Sequence, residues 1–76
     1  MSIEAQVYDI IKQLLDTQEI TLESNLVDDL SADELDMIEL KMALEEQFNI
    51  QVPDEELERF KTVWDIVYFI QLHRSE

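Results

Sequence analysis

Apolar residues recur at helical spacing in three stretches of the chain, and this periodicity constrains the fold more than any other feature. The first stretch predicts an amphipathic helix over residues about 3–15. Its apolar face consists of Ile3, Val7, Ile10, Ile11 and Leu14. The last stretch begins after Thr62, a good N-cap residue, and its apolar stripe consists of Val63, Ile66, Val67 and Ile70. Both stretches predict helices that bury one face.

The middle stretch predicts a second helix that begins after Asp33, a good N-cap residue with acids in the turn behind it. Ser31 with Glu34 three residues later also has the spacing of a capping box, so the sequence leaves two starting points open. The helix is expected to end at about Asn49, since asparagine tolerates the left-handed conformation that ends many helices.

The segments between these helices lack the helical period. Residues 16–33 predict a long loop, pinned by Leu22, Leu26, Val27 and Leu30. Pro53 interrupts the chain again, and the segment from Asp54 to Phe60 has room only for a short helix. We therefore expect one all-α domain over residues 1–76: a small four-helix bundle with three long helices, one short helix and a long loop between helices 1 and 2.

Charge limits the classes of partner. The chain has 19 Asp and Glu against 5 Lys and Arg, a net charge of −14, yet its 46% apolar content is that of a folded protein. Nucleic acids and anionic membranes would repel it, so basic protein surfaces are the expected partners. The chain has no cysteine for a disulfide, a thiolate metal site or a thiol nucleophile. With no signal sequence or membrane-spanning run, we expect a cytoplasmic protein. We also expect it to be a monomer.

The second helix has two apolar stripes. One consists of Met37, Leu40, Leu44 and Phe48, and the other of Leu35, Ile38 and Met42. The second stripe is flanked by Glu34, Glu39, Glu45 and Glu46. An exposed apolar strip with a charged rim is typical of a docking surface, so we predict that the first stripe faces the core and the second faces a partner. The alternative is that both stripes are buried.

Residues 26–40 and their continuation through residue 56 resemble the central segment of acyl carrier proteins. The resemblance extends over the whole chain and is densest from Leu26 to Glu56. It implies a four-helix bundle that shuttles acyl chains between enzymes of fatty acid or polyketide synthesis. It also implies that partner enzymes contact the second helix with Arg and Lys. The predicted docking residues are Asp33, Glu34, Leu35, Ile38, Glu39, Met42, Glu45 and Glu46.

One position departs from the family pattern Gly-Ala-Asp-Ser-Leu-Asp, whose serine carries 4′-phosphopantetheine. Residues 31–36 read Ser-Ala-Asp-Glu-Leu-Asp, with Glu34 at the place of that serine. A hydroxyl forms a stable phosphodiester, whereas a carboxylate would form a mixed anhydride that water cleaves. We therefore expect no bound cofactor and no covalent acyl chain at Glu34.

Two alternatives remain open. The chain could be a working carrier, either with the arm on Ser31 or as an engineered Ser-to-Glu variant of a functional protein. Ser31 lies three residues before Glu34, and a capping or loop hydrogen bond is its expected role. In another class, the chain could be an acidic inhibitor or nucleic-acid mimic. The clustering of acids between Asp33 and Glu46 around an apolar stripe disfavours that class.

Other candidate sites are weaker. Asp28, Asp29, Asp33 and Asp36 lack the glycine of a calcium-binding EF-hand loop, so we expect no specific metal site and at most weak divalent binding. His73 has no partner for a metal or catalytic site and is expected at the surface. Trp64 and Tyr68 are expected in the core or at its edge. Nothing resembles a nucleophile–base pair, so no enzyme is predicted.

Overall fold

Four helices make up the fold in this computed structural model, which describes residues 2–74. The helices are α1 (Ile3–Leu15), α2 (Glu34–Phe48), α3 (Asp54–Arg59) and α4 (Val63–His73). Residues 2–74 contain no strand beyond one isolated bridge between Asn25 and Thr62. The all-α prediction, with three long helices, one short helix and a long loop after α1, is confirmed. Residues 1, 75 and 76 of the proposed single domain lie outside the described residues.

Asp33 is the residue that starts α2, which settles the choice left open by the sequence. Its Oδ1 accepts a hydrogen bond from the Asp36 backbone N–H at 2.8 Å. In return, Asp36 Oδ2 accepts one from the Asp33 N–H at 3.1 Å, which completes a capping box. Ser31 lies two residues earlier with φ 61° and caps nothing. The helix ends at Asn49, whose φ of 55° is the left-handed conformation expected there.

The core lies where α1 packs against α2 and α4. Leu40 and Leu44 of α2 are buried as predicted, while Met37 and Phe48 are half-buried against the same core. All four predicted core residues of α4 are buried as well. The buried residues are Val7, Ile11, Leu26, Ala32, Leu40, Leu44, Val52, Phe60, Val63, Ile66, Val67, Phe69 and Ile70.

The long loop after α1 is held against the start of α4 by backbone hydrogen bonds. The Leu26 N–H donates to the Lys61 carbonyl at 2.8 Å, and the Trp64 N–H donates to the Leu22 carbonyl at 2.9 Å. These bonds bury Leu26 completely. The expectation that Val27 also pins the loop is wrong, because Val27 follows the buried Leu26 and its side chain is exposed.

Trp64 and Tyr68 are also placed differently from the expectation. Their side chains are 46% and 50% exposed, outside the core. The reason is geometric, since α4 already fills the core with Val63, Ile66, Val67 and Ile70. His73 is exposed as expected, with its ring stacked on Phe69 at 4.1 Å between centroids.

Candidate functional site

The candidate site is an exposed apolar strip on α2, formed by Leu35, Ile38 and Met42. Their side chains are 62%, 45% and 62% exposed. These residues are spaced three and four apart, so they lie side by side on one face of the helix. Leu40 and Leu44 on the other side of the helix are buried. The alternative in which both stripes of α2 are buried is therefore excluded.

The acids beside this strip carry uncompensated charge. Glu34, Glu39 and Glu46, here called the acidic rim, are exposed and make no ion pair or hydrogen bond within residues 2–74. Lys41, the one base of α2, donates to Asp54 Oδ1 of α3 at 3.1 Å. Because Lys41 already has a carboxylate partner, the acidic rim is left free to attract cations from outside the molecule.

Two of the predicted docking residues have structural tasks. The carboxylate of Asp33 caps α2. Glu45 is half-buried, and its Oε2 accepts a hydrogen bond from the Val52 backbone N–H at 2.9 Å. The Asp-x-x-Asp spacing from Asp33 to Asp36 could have predicted that Asp33 caps α2. The hydrogen bond of Glu45 depends on the path of the chain after α2, for which the sequence offers no signal.

Glu34 stands at the first turn of α2, where a negative side chain is favoured by the helix dipole. It lines a cleft of about 640 Å³ between the start of α2, the loop before it and α3. The cleft is lined on its apolar side by Val27, Met37, Ile38, Leu57 and Phe60. Glu34 of the acidic rim and Ile38 of the apolar strip thus line a concave surface at the start of α2.

Ser31 is the hydroxyl residue nearest to Glu34 in the sequence. Its side chain is exposed, and its hydroxyl makes no hydrogen bond within residues 2–74. The expected capping or loop hydrogen bond of this hydroxyl is therefore wrong, since Asp33 performs the capping. The Ser31 hydroxyl is open to solvent.

The acids of the preceding loop organise its backbone. Asp29 Oδ2 accepts a hydrogen bond from the Asn25 N–H at 2.7 Å, and Asn25 Oδ1 accepts from the N–H groups of Val27 and Asp28. Within the part of the chain that the structure describes, no three acidic, histidine or cysteine side chains are grouped to hold a metal ion. The same part contains no helix long and apolar enough to cross a membrane.

Comparison with known proteins gives a consistent family assignment. Residues 5–70 match the family model described as the phosphopantetheine attachment site. The chain is 51% identical over 73 residues to an acyl carrier protein of Clostridium acetobutylicum, covering 93% of this chain and 95% of that one. It is 48% identical over 66 residues to an acyl carrier protein of Helicobacter hepaticus, covering 86% and 87% of the two chains.

Solved structures agree with the sequence comparisons. A Mycobacterium tuberculosis protein, described as a candidate acyl carrier protein, superposes with a TM-score of 0.89 at 30% identity. The superposition covers 93% of this chain and 97% of that one. The arrangement of α1 to α4 is therefore similar to that of a solved relative.

These matches correct one expectation and identify the family. The expectation of no cofactor is wrong, because the matching model is the phosphopantetheine attachment site and 4′-phosphopantetheine is the prosthetic group of the family. Acyl carrier proteins are not enzymes themselves and work with acyl-processing enzymes. With a family model matched over residues 5–70 and relatives similar along nearly their whole length, this chain belongs to the acyl carrier protein family.

Proposed function

We propose that this chain acts as an acyl-carrier-type module of fatty acid or polyketide metabolism, and that it docks basic surfaces of acyl-processing enzymes through α2. The docking surface consists of the apolar strip, the acidic rim and the adjoining Asp33 and Glu45. The observation that carries the proposal is the exposure of Leu35, Ile38 and Met42 beside three carboxylates that have no cationic partner within residues 2–74.

The apolar and charged parts of this surface make different contributions to binding. Leu35 and Met42 present flexible apolar side chains that lose contact with water when a partner covers them. The acidic rim attracts Arg and Lys of the partner over a longer range, which speeds association and orients the complex. Weak, non-specific attraction of divalent cations is expected from the same charge.

A binding experiment tests this proposal. The probe is a broad-specificity phosphopantetheinyl transferase without coenzyme A, because it is an enzyme that handles carriers of this kind. Changing Glu39 to Lys reverses a rim charge without removing any hydrogen bond within residues 2–74. We expect the dissociation constant, measured by surface plasmon resonance, to rise about tenfold, equivalent to about 1.4 kcal/mol.

The matched control is Asp9→Lys, which makes the same charge change on an exposed position of α1. It should change the dissociation constant much less, since only the total charge differs. Glu45 is a poor choice for this test because its substitution would also break the bond to the Val52 N–H. Equal affinity of the Glu39 variant and the unaltered chain would remove the docking proposal.

Attachment of the prosthetic group is a separate question. We propose that Glu34 occupies the position of the family's serine and does not itself hold the arm. The phosphodiester of 4′-phosphopantetheine forms when a hydroxyl displaces the nucleotide part of coenzyme A. The Glu34 carboxylate offers no hydroxyl and would form only a mixed anhydride, which is hydrolysed. Residue 34 therefore does not fit the group.

Ser31 favours a second candidate function, that of a carrier loaded at a shifted position. Its hydroxyl is exposed and free of hydrogen bonds within residues 2–74, and it lies close in sequence to the docking surface. Ser31 lies in a left-handed conformation before the N-cap, whereas Glu34 lies in the first turn of the helix. A transferase that demands one geometry would react with Ser31 slowly.

Intact-mass analysis distinguishes these assignments. The chain is incubated with coenzyme A and the same transferase, and Glu34→Ser serves as the positive control. We expect the Glu34→Ser variant to gain the mass of one phosphopantetheine group. A gain by the unaltered chain that disappears in Ser31→Ala would establish the second candidate function. A gain that persists in Ser31→Ala would exclude Ser31 and contradict both assignments, since the arm would then be attached at another residue.

A further inference from the structure

Met42 places a sulfur-containing side chain on the exposed apolar strip of α2. The chain has three methionines and no cysteine, so thioethers are its only sulfur groups. The Met42 side chain is 62% exposed, whereas Met37 of the same helix is half-buried against the core. Met1 lies outside the described residues. Within residues 2–74, Met42 is therefore the thioether that a small molecule in the solvent reaches most easily.

The neighbours of Met42 on α2 leave its side chain open to solvent. Glu39 and Glu46 lie three residues before it and four residues after it, so they flank it on the helix surface. Both are exposed and make no ion pair or hydrogen bond within residues 2–74. The adjacent Lys41 is held by Asp54 of α3 at 3.1 Å. This negative charge repels an anionic oxidant but not a neutral one such as hydrogen peroxide.

We propose that Met42 is a modification site for hydrogen peroxide, and that its oxidation weakens docking through α2. The sulfur lone pair attacks one oxygen of the peroxide, and the O–O bond breaks. The proton of the transferred oxygen passes to the other oxygen, which leaves as water. The sulfur is thereby oxidised by two electrons to the sulfoxide, and the peroxide is reduced. The effect on docking rests on the proposed function, whereas the choice of Met42 over Met37 rests on exposure alone.

Sulfoxide formation removes the property that suits Met42 to docking. The apolar side chain becomes polar and gains an oxygen that accepts hydrogen bonds. A partner that covers the apolar strip takes water away from that oxygen, and an apolar facing surface offers no donor in its place. The fold should not change, because Met42 lies outside the core. Oxidation of Met42 therefore lowers the affinity for a partner without unfolding the chain.

The modification is reversible by a known chemistry. Methionine sulfoxide reductases, one for each epimer of the sulfoxide, return it to the thioether. A dithiol such as dithiothreitol supplies the two electrons and becomes a disulfide, while the sulfoxide oxygen leaves as water. The affinity of the docking surface should therefore follow the redox state of one side chain.

Peptide mapping by mass spectrometry tests the modification site. The full chain is treated with dilute hydrogen peroxide, and samples taken over time are digested with trypsin. Cleavage after Lys12, Lys41 and Arg59 places the three methionines in three different peptides, residues 1–12, 13–41 and 42–59. The peptide that contains Met42 should gain one oxygen several-fold faster than the peptide that contains Met37. Equal or faster oxidation of Met37 would overturn the assignment of the site.

Binding to the phosphopantetheinyl transferase, after removal of the peroxide, tests the effect on docking. The dissociation constant of the oxidised chain, measured by surface plasmon resonance, should be about tenfold higher than that of the untreated chain. Treatment with both reductases should restore the original value, and circular dichroism should be the same in all three samples. Equal affinity of the untreated chain and the chain with Met42 sulfoxide would overturn the effect on docking.

Matched variants assign the effect to one methionine. Met42→Leu keeps an apolar side chain of similar size without sulfur, so it should bind as the untreated chain does and lose its sensitivity to peroxide. Met37→Leu should remain sensitive, because Met42 is still present. A peroxide effect that persists in Met42→Leu would overturn the inference. If the untreated chain does not bind the transferase, the proposed function fails, and the peptide map alone then decides whether Met42 is the modification site.

Discussion

The exposed stripes of α2 and α4 are similar in apolar content and different in charge. Leu35, Ile38 and Met42 on α2 adjoin three carboxylates that have no partner within residues 2–74, whereas the exposed Trp64, Tyr68 and Leu72 lie on α4, a helix whose one carboxylate, Asp65, is already hydrogen-bonded. Apolar exposure alone therefore does not define a partner in this molecule. The neighbouring charge determines whether a basic enzyme or an uncharged surface is the better match.

The largest expected effect is the loss of stability when a buried residue of α2, rather than an exposed one, is shortened. Leu44 of α2 is fully buried, so Leu44→Ala should lower the free energy of unfolding by about 2–5 kcal/mol. Ala is a good helix former, and the loss therefore reports on packing. Urea denaturation followed by circular dichroism measures it. A loss no larger than that of an exposed substitution would show that α2 does not pack on the core as described.

Salt should weaken docking through α2. Binding of the phosphopantetheinyl transferase through the acidic rim should weaken by about tenfold between low and high salt. Titrations of one protein preparation at each salt concentration measure this change. A dissociation constant that does not vary with salt would show that the acidic rim does not contribute to binding.

A smaller effect compares the starts of the two helices. Asp33 and Thr62 each complete a capping box with an aspartate three residues later. Asp33→Ala and Thr62→Ala should each lower the free energy of unfolding by about 1 kcal/mol. Thermal or urea unfolding measures both losses. Asp33 positions Glu34 at the start of α2, so Asp33→Ala should also weaken binding to the transferase. Thr62→Ala should leave that binding unchanged.

The smallest effect concerns the exposed stripes themselves. Met42→Ala and Trp64→Ala should change the free energy of unfolding by less than about 0.5 kcal/mol, because neither side chain is in the core. Met42→Ala should weaken binding to the transferase, whereas Trp64→Ala should leave that binding unchanged. A substantial loss of stability in either variant would mean that its stripe supports the fold.

Helical periodicity and caps were sufficient to predict the elements of this fold. The predicted first helix, residues about 3–15, coincides with Ile3–Leu15, and the residues expected to cap α2 and α4 do so. Burial was harder to predict where the apolar residues exceed what the core can hold. Val27 and Trp64 look like core residues in isolation, but their neighbours Leu26 and Val63 occupy the interior.

The candidate site could be predicted only in part from the sequence. The two stripes of α2 follow from spacing, and the structure shows which one faces out. The bond from the Val52 N–H to Glu45 could not be predicted, because it depends on how the chain turns after Asn49. The expectation of no cofactor rested on one residue, Glu34, and was overturned by a family match that extends over residues 5–70.

The most direct test of the docking proposal maps the complex residue by residue. The ¹⁵N-labelled chain is titrated with unlabelled phosphopantetheinyl transferase in low salt, and the amide signals are followed by two-dimensional NMR. We predict that shifts and broadening concentrate on residues 34–46 of α2 and leave residues 64–72 of α4 unchanged. Changes concentrated on α4, or spread evenly over the four helices, would contradict docking through α2.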